Sequence, residues 1–217
     1  MIAALQNVVR IEELRKRILF TAAMLAVYRV GCIVVTPGIN GNVIKSFFEQ
    51  MQGTMFGLLN VFSGGAMESL SIFALGIMPY ISASIIFQLL TVVIPALERL
   101  KKEGSEGQKR ITQWTRYATI GLALFQSLLM SIALENGQFG QGAVLEPGWG
   151  FRLTTMITLT SGTAFIMWLG EQVTERGIGN GISLIIFSGI IVGLPSGLSN
   201  VLDLVRTDQF SILEVIF

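Results

Sequence analysis

A half-polar, glycine-broken segment running straight into a charge-free apolar stretch is the feature that most limits what this chain can become. Residues 56–97 read FGLLNVFSGGAMESLSIFALGIMPYISASIIFQLLTVVIPAL. The second part, residues 72–94, is 23 residues without a charge. As a helix rising about 1.5 Å per residue it is long enough to cross a bilayer core. The first part, residues 56–71, is not lipid-compatible, because it carries Asn60, Ser63, Gly64, Gly65, Glu68, Ser69 and Ser71. An ionised carboxylate near the midplane costs roughly 2.5 to 3.5 kcal/mol. The segment therefore lies outside the lipid, or in a wet or protein-lined cavity, where irregular backbone is tolerated at membrane depth. On composition alone, an amphipathic helix resting on the membrane surface is the plainer of these two readings.

The rest of the chain is equally apolar. Of its 217 residues 52% are hydrophobic and 13% charged, about half the charge of an average soluble domain. This composition predicts an integral membrane protein. The net charge of +1 gives no basic surplus for nucleic acid, and direct nucleic-acid binding is not expected. A single cysteine, Cys32, excludes an internal disulfide, and no zinc spacing is present. Histidine is absent, which removes His-dependent acid–base, Ser-His and His-ligated metal chemistry. Neither a catalytic residue nor a metal or cofactor is expected, and the chain does not read as an enzyme.

Read in order, residues 1–17 form an amphipathic leader in which Arg10, Arg15, Lys16 and Arg17 precede the first apolar run. That run is too long for a signal-peptide h-region, so a cleavable leader is not expected. Spans are predicted at about 18–35, 72–94, 117–134, 153–169 and 178–194, and residues 210–217 resemble the start of a sixth. Arg29 falls within the first span, either snorkelling or facing a protein interior. Pro79 predicts a kink in the second span, and Pro195 with Gly197 an end to the fifth. A short amphipathic helix is expected near 43–52, and residues 98–116 form the most charged loop.

Lysine and arginine count supports one topology. Eleven fall in the leader, the 98–116 loop and at Arg176, against three, Lys45, Arg152 and Arg206, in the opposite segments. The positive-inside rule then places the N-terminus in the cytoplasm. An odd number of spans and the truncated sixth anticipate a continuation, and a second unit of opposite orientation would give inverted repeats with a site between halves.

Three long strings are specific: NVFSGGAMESLSIFALGIMPYISASIIFQLL (60–90), LKKEGSEGQKRITQWTRY (100–117) and WLGEQVTERGIGNGISLIIF (168–187). With YRVG (28–31) and TPGI (36–39), in the same order along the chain, they resemble the SecY family, the pore-forming subunits of the bacterial Sec protein translocase. The resemblance covers roughly the N-terminal half of a family member. It implies an all-α polytopic membrane bundle, five spans plus a re-entrant plug helix, forming one half of an inverted-repeat channel.

The same resemblance assigns residues. Residues 56–71, including Asn60, Phe62, Ser63, Gly64, Gly65 and Glu68, correspond to the plug, which replaces the surface-helix reading. Ile77 and Ile81 match pore-ring positions on the second span, and Ile182 and Ile186 those on the fifth. Each pair is spaced i, i+4 and shares a helix face, and such branched side chains can form an apolar constriction that resists ions. Gln88 and Gln126 lie on helices resembling one side of the lateral gate, where their amides could bond across the helix pair. Asn180 caps the fifth helix or joins the pore lining. In the basic loop, Lys101, Lys102, Lys109 and Arg110 either enforce topology or contribute a cytoplasmic partner contact.

The function implied is a channel that passes unfolded secretory polypeptides across the bacterial cytoplasmic (inner) membrane and releases hydrophobic segments sideways into lipid. Implied partners are the SecE and SecG subunits, the SecA motor or the ribosome at the cytoplasmic face, the translocating polypeptide and membrane lipid. The alternative is half of an ion-coupled secondary transporter, which ordinarily needs a mid-membrane carboxylate or histidine; only Glu68 approaches that depth. An inert scaffold subunit leaves the broken polar segment unexplained.

Overall fold

The computed structural model describes residues 11–51, 60 and 63–206, with the backbone course alone for 194–206. Among the described residues the helices with full bounds are, in chain order, α1 (Glu12–Ile33), α2 (Gly41–Gln50), α3 (Met78–Val93), α4 (Pro95–Lys102), α5 (Ser105–Glu135), α6 (Trp149–Arg176) and α7 (Gly181–Arg206). Among the described residues the extended pairings are two isolated antiparallel bridges, Val35 with Ser71 and Ile39 with Val144.

Helix starts follow local chemistry. Glu12 and Glu13 sit in the first turn of α1, where carboxylates favour the positive end of the helix dipole. The Asn40 side chain accepts the Asn42 N–H at the start of α2. Proline occupies the first turn of both α3 and α4, the place where its missing N–H costs nothing.

Proline placement also corrects the second predicted span. Residues 72–77 are turns, and the helix begins only at Met78. Pro79 has no N–H for the Leu75 carbonyl, so a helix entering from residue 72 would lose a bond and clash there. Instead Ala74 N–H bonds to the Ser71 carbonyl at 2.9 Å and Gly76 N–H to the Phe73 carbonyl at 2.8 Å, both three-residue turns. Pro79 thus starts α3 rather than kinking it. The bend falls at the other end, where α3 and α4 meet at 99°.

Two further boundaries differ from the predicted ones. The charged stretch 98–116 is mostly helical: it holds the end of α4 and the first turns of α5. Its Lys/Glu spacing suits a solvated helix face, and Lys102–Glu98 and Lys109–Glu106 pair within one turn. At α7 the helix continues through Pro195 to Arg206, since one lost bond does not end a helix when the remaining turns are made. The leader residues 1–10 and the sixth-span start at 210–217 lie outside the described residues.

α5 and α6 are both long and apolar enough to cross a membrane, and the bent α3–α4 pair makes a third candidate. With 31 residues, α5 extends about 46 Å, well beyond a hydrocarbon core of about 30 Å. α6 is the hub, packing against α1, α3, α5 and α7. Its contact with α5 uses small side chains: Thr115, Thr119, Ala123, Ser127 and Ser131 are buried along α5, and Ser127 Oγ lies 3.4 Å from Thr160 Oγ1 of α6. Small residues let apolar helices approach closely where no hydrophobic force separates protein from lipid.

The core divides in two. At the end carrying α2, Ile44 and Phe48 pack with Leu134, Phe139, Ala143 and Phe151, and Phe47 meets Phe139 edge-on at 5.1 Å between centroids. The second cluster lies mid-bundle and contains Tyr28, Cys32, Ala66, Phe73, Ile77, Ile166, Leu169 and Ile185.

Candidate pore and plug segment

All four isoleucines singled out in the sequence belong to the mid-bundle cluster. Ile77 is a buried member, and Ile81, Ile182 and Ile186 are partly buried against it. Ile77 is the residue before α3, and its carbonyl accepts the Ile81 N–H at 3.1 Å, so the two stand one turn apart. Ile182 and Ile186 stand one turn apart at the start of α7. Asn180 caps that helix: its Oδ1 accepts the Ser183 N–H at 3.1 Å. Close packing fixes the face, because a Cβ on Gly181 would lie 2.0 Å from the Gly170 carbonyl oxygen of α6.

Residues 63–71 are folded against this cluster, with Ala66 buried inside it. Of the expected plug helix, Asn60 is helical, residues 63–70 are a run of turns and Ser71 pairs with Val35 in an isolated bridge. Gly64 and Gly65 take φ of +67° and +82°, and Leu70 takes +41°, conformations that an α-helix cannot contain. Residues 56–59, 61 and Phe62 lie outside the described residues. Asn60 and Glu68 close the loop through two bonds: Asn60 Nδ2 donates to Glu68 Oε2, and the Glu68 N–H donates to Asn60 Oδ1, each at 3.0 Å. Ser63 Oγ donates to the Asn60 carbonyl and accepts the Met67 N–H.

α1 and Val34 just past its end supply contacts whose partners sequence reasoning did not name. The Tyr28 hydroxyl donates to the Ser63 carbonyl at 3.1 Å, and Arg29 Nη1 donates to the Gly64 carbonyl at 2.8 Å. Ser69 Oγ donates to the Cys32 carbonyl at 3.1 Å, and the Ile72 N–H to the Val34 carbonyl at 2.9 Å. Arg29 therefore faces a protein interior. The available signal was a cation within an apolar span, which always needs an acceptor.

The remaining singled-out residues lie elsewhere. Gln88 is exposed on α3 and donates to Ser84 Oγ of its own helix at 3.3 Å, not across to α5; Gln126 is half-buried on α5. Consecutive polar residues one turn apart satisfy each other before reaching a neighbour. Lys101, Lys102, Lys109 and Arg110 are all exposed at the end carrying α4. Lys101 lines a polar cleft of about 500 Å³ with Tyr80, Gln88, Thr91 and Gln108. Nearby, Arg116 pairs with Glu171 at 2.6 Å and ties α5 to α6.

Residues 71–217 match the family model described as SecY. The chain belongs to the SecY family. It is 50% identical over 204 residues to the protein translocase subunit SecY of Escherichia coli K12, covering 94% of this chain and 46% of that protein. Against the same subunit of Buchnera aphidicola from Acyrthosiphon kondoi it is 51% identical over 201 residues, covering 93% and 56%. The chain thus spans about half the length of the curated relatives it matches. The fold resembles that of a solved protein-conducting channel, with a TM-score of 0.59 at 19% identity, covering 81% of this chain and 36% of that one. Sec61 in the canine ribosome–channel complex gives the same values. Family membership and the apolar helices together make this a membrane protein.

Proposed function

We propose that this chain forms the N-terminal half of a protein-conducting channel subunit in the bacterial inner membrane, with its N-terminus in the cytoplasm. Unfolded secretory polypeptides pass through the assembled channel, and hydrophobic segments leave it sideways into lipid. The observation that carries this reading is the convergence of Ile77, Ile81, Ile182 and Ile186, from two separate helices, on one cluster that also takes in Ala66 of the interrupted segment. A ring of branched aliphatic side chains is dry enough to resist ions and soft enough to part around a polypeptide. Residues 56–71 act as the plug that closes this waist. α1 and α7 complete the five spans, and the helices bearing Gln88 and Gln126 form one side of the lateral gate.

The subunit does no covalent chemistry; driving force comes from a SecA motor or a ribosome at the cytoplasmic face. Lys101, Lys102, Lys109 and Arg110 offer that face exposed cations. SecE and SecG subunits complete the complex. The transporter reading loses ground because Glu68, the carboxylate it requires, is already engaged by Asn60.

The test uses the full-length protein with a photo-crosslinking residue placed singly at each of the four isoleucines, and at Ile157, which is 65% exposed on α6. With a secretory chain stalled halfway across, crosslinks to that chain from the four sites and none from Ile157 are expected. Crosslinks to lipid alone would remove the pore from this reading.

A further inference from the structure

The 63–71 segment is seated by buried Ala66 and Leu70, by the Ser69 hydroxyl, and by its backbone carbonyls. Two of its consecutive carbonyls, on Ser63 and Gly64, are each taken by a side chain of α1, Tyr28 and Arg29. A cation within an apolar helix needs an acceptor, and here the acceptor is a carbonyl in the segment rather than a carboxylate or a lipid headgroup. Tyr28 is set rigidly for its part: it is 2% exposed and stacks on Phe73 at 5.9 Å with rings 8° from parallel. Gly64 admits no side chain, since a Cβ would lie 2.9 Å from Arg29 Nη1 and 3.0 Å from the Gly189 Cα of α7. The segment is thus pinched between α1 and α7 at the residue whose carbonyl the guanidinium holds.

We infer that Tyr28 and Arg29 are positioning residues forming a latch that sets how often residues 63–71 leave their seat. Both bonds break when the segment moves, and nothing in the helices themselves needs to unfold for this to happen. The bond from a charged donor is the stronger of the two, so Arg29 carries most of the bias and Tyr28 a smaller share. The consequence for ion flow, though not the latch itself, rests on the closing role proposed above for this segment.

Cys32 provides the readout. It is 4% exposed and shares the mid-bundle cluster with Ala66 of the segment, so unseating opens the thiol to water. In the full-length protein, assembled with its partner subunits in liposomes and carrying no other cysteine, labelling of Cys32 by a membrane-impermeant maleimide is followed across pH, which separates access from the thiol's own reactivity beside Tyr28 and Arg29, together with resting ion conductance. Arg29→Met should speed labelling about tenfold, the scale of one charge-assisted hydrogen bond. Tyr28→Phe should speed it by a smaller factor, and Arg29→Lys should restore part of the protection. Faster labelling with raised conductance supports both latch and closure. Faster labelling at unchanged conductance keeps the latch and overturns the closing role. Unchanged labelling in both Arg29→Met and Tyr28→Phe overturns the latch. Should Arg29→Met fail to accumulate, Tyr28→Phe, which loses one hydroxyl, decides the matter alone.

Discussion

Glu135 and Arg152 join the last turn of α5 to the first of α6. Arg152 Nε donates to Glu135 Oε2 at 2.6 Å, the Gly148 N–H donates to Oε1 at 2.8 Å, and the guanidinium lies 5.3 Å from the centre of the Trp149 ring. The arginine bond first, and the backbone bond second, hold the Glu135 carboxyl below its ordinary value of 4.5. A group with a depressed folded-state pKa stabilises the fold above its unfolded value and loses that contribution as pH falls through the folded one. Thermal unfolding of the full-length protein in detergent should therefore drop more steeply below pH 4.5 than that of Arg152→Met, whose curve should be flatter. Parallel curves would show that the pair adds nothing to the fold. The residue scale is also where the sequence was hardest to read. Arg29 stood out as a charge in an apolar run, but its acceptor is the carbonyl of Gly64, and a backbone carbonyl has no letter of its own. Gln88 was visible as a polar residue, yet nothing in the string said that Ser84, one turn away, would take its amide.

Between elements, glycine positions make a sharper test. A Cβ on Gly162 of α6 would lie 1.8 Å from the Ile72 carbonyl oxygen, whereas one on Gly121 of α5 meets nothing within 4 Å. Gly162→Ala pushes the approach to α3 off the hub helix and should cost about 1 to 3 kcal/mol. Gly121→Ala keeps every contact and removes backbone freedom from the unfolded chain, a gain of roughly 0.5 to 1 kcal/mol. Opposite shifts in thermal midpoint are expected from the same chemical change. A loss of stability in both would place the cost in glycine content rather than in the helix contact. Elements were legible where the string carries periodicity and charge: α5 and α6 contain the predicted third and fourth apolar stretches. The start of α3 was not, because an apolar run of 23 residues carries no mark of where the helix begins until the missing N–H of Pro79 is followed back to the Leu75 carbonyl. The end of α7 was missed for the converse reason, since Pro195 removes one bond from a helix that continues through it.

At the scale of the whole molecule, the two clusters divide the work. The one around Phe48, Leu134 and Phe139 ties α2 to the α5–α6 connection and takes in Leu70 and Met67 of the interrupted segment, while the one around Ile77 and Ile185 gathers α1, α3, α6, α7 and Ala66 of that segment. The four isoleucines reached their place here through resemblance, because in a chain this rich in aliphatics an i, i+4 pair has the same form whether it faces lipid, core or a waist. The division predicts a separation of effects. Phe139 is 7% exposed, so Phe139→Ala empties a packed site and should cost about 3 kcal/mol or more. None of the four isoleucines packs in that cluster, so resting ion conductance of the assembled full-length protein should change far less than it does for a substitution at Ile182. Ile182 is only partly buried and packs against the second cluster from its edge, so Ile182→Asn, which removes some volume and adds an amide, costs less stability than emptying a fully packed site. If Ile182 lines the proposed waist, the new amide gives water a partner there, and a constriction that resists ions by staying dry loses that property. Conductance should rise severalfold, with a smaller drop in thermal midpoint than Phe139→Ala gives. A fall in stability without a leak would move Ile182 from the waist to the structural core, and the waist would then have to be sought on another face of α7.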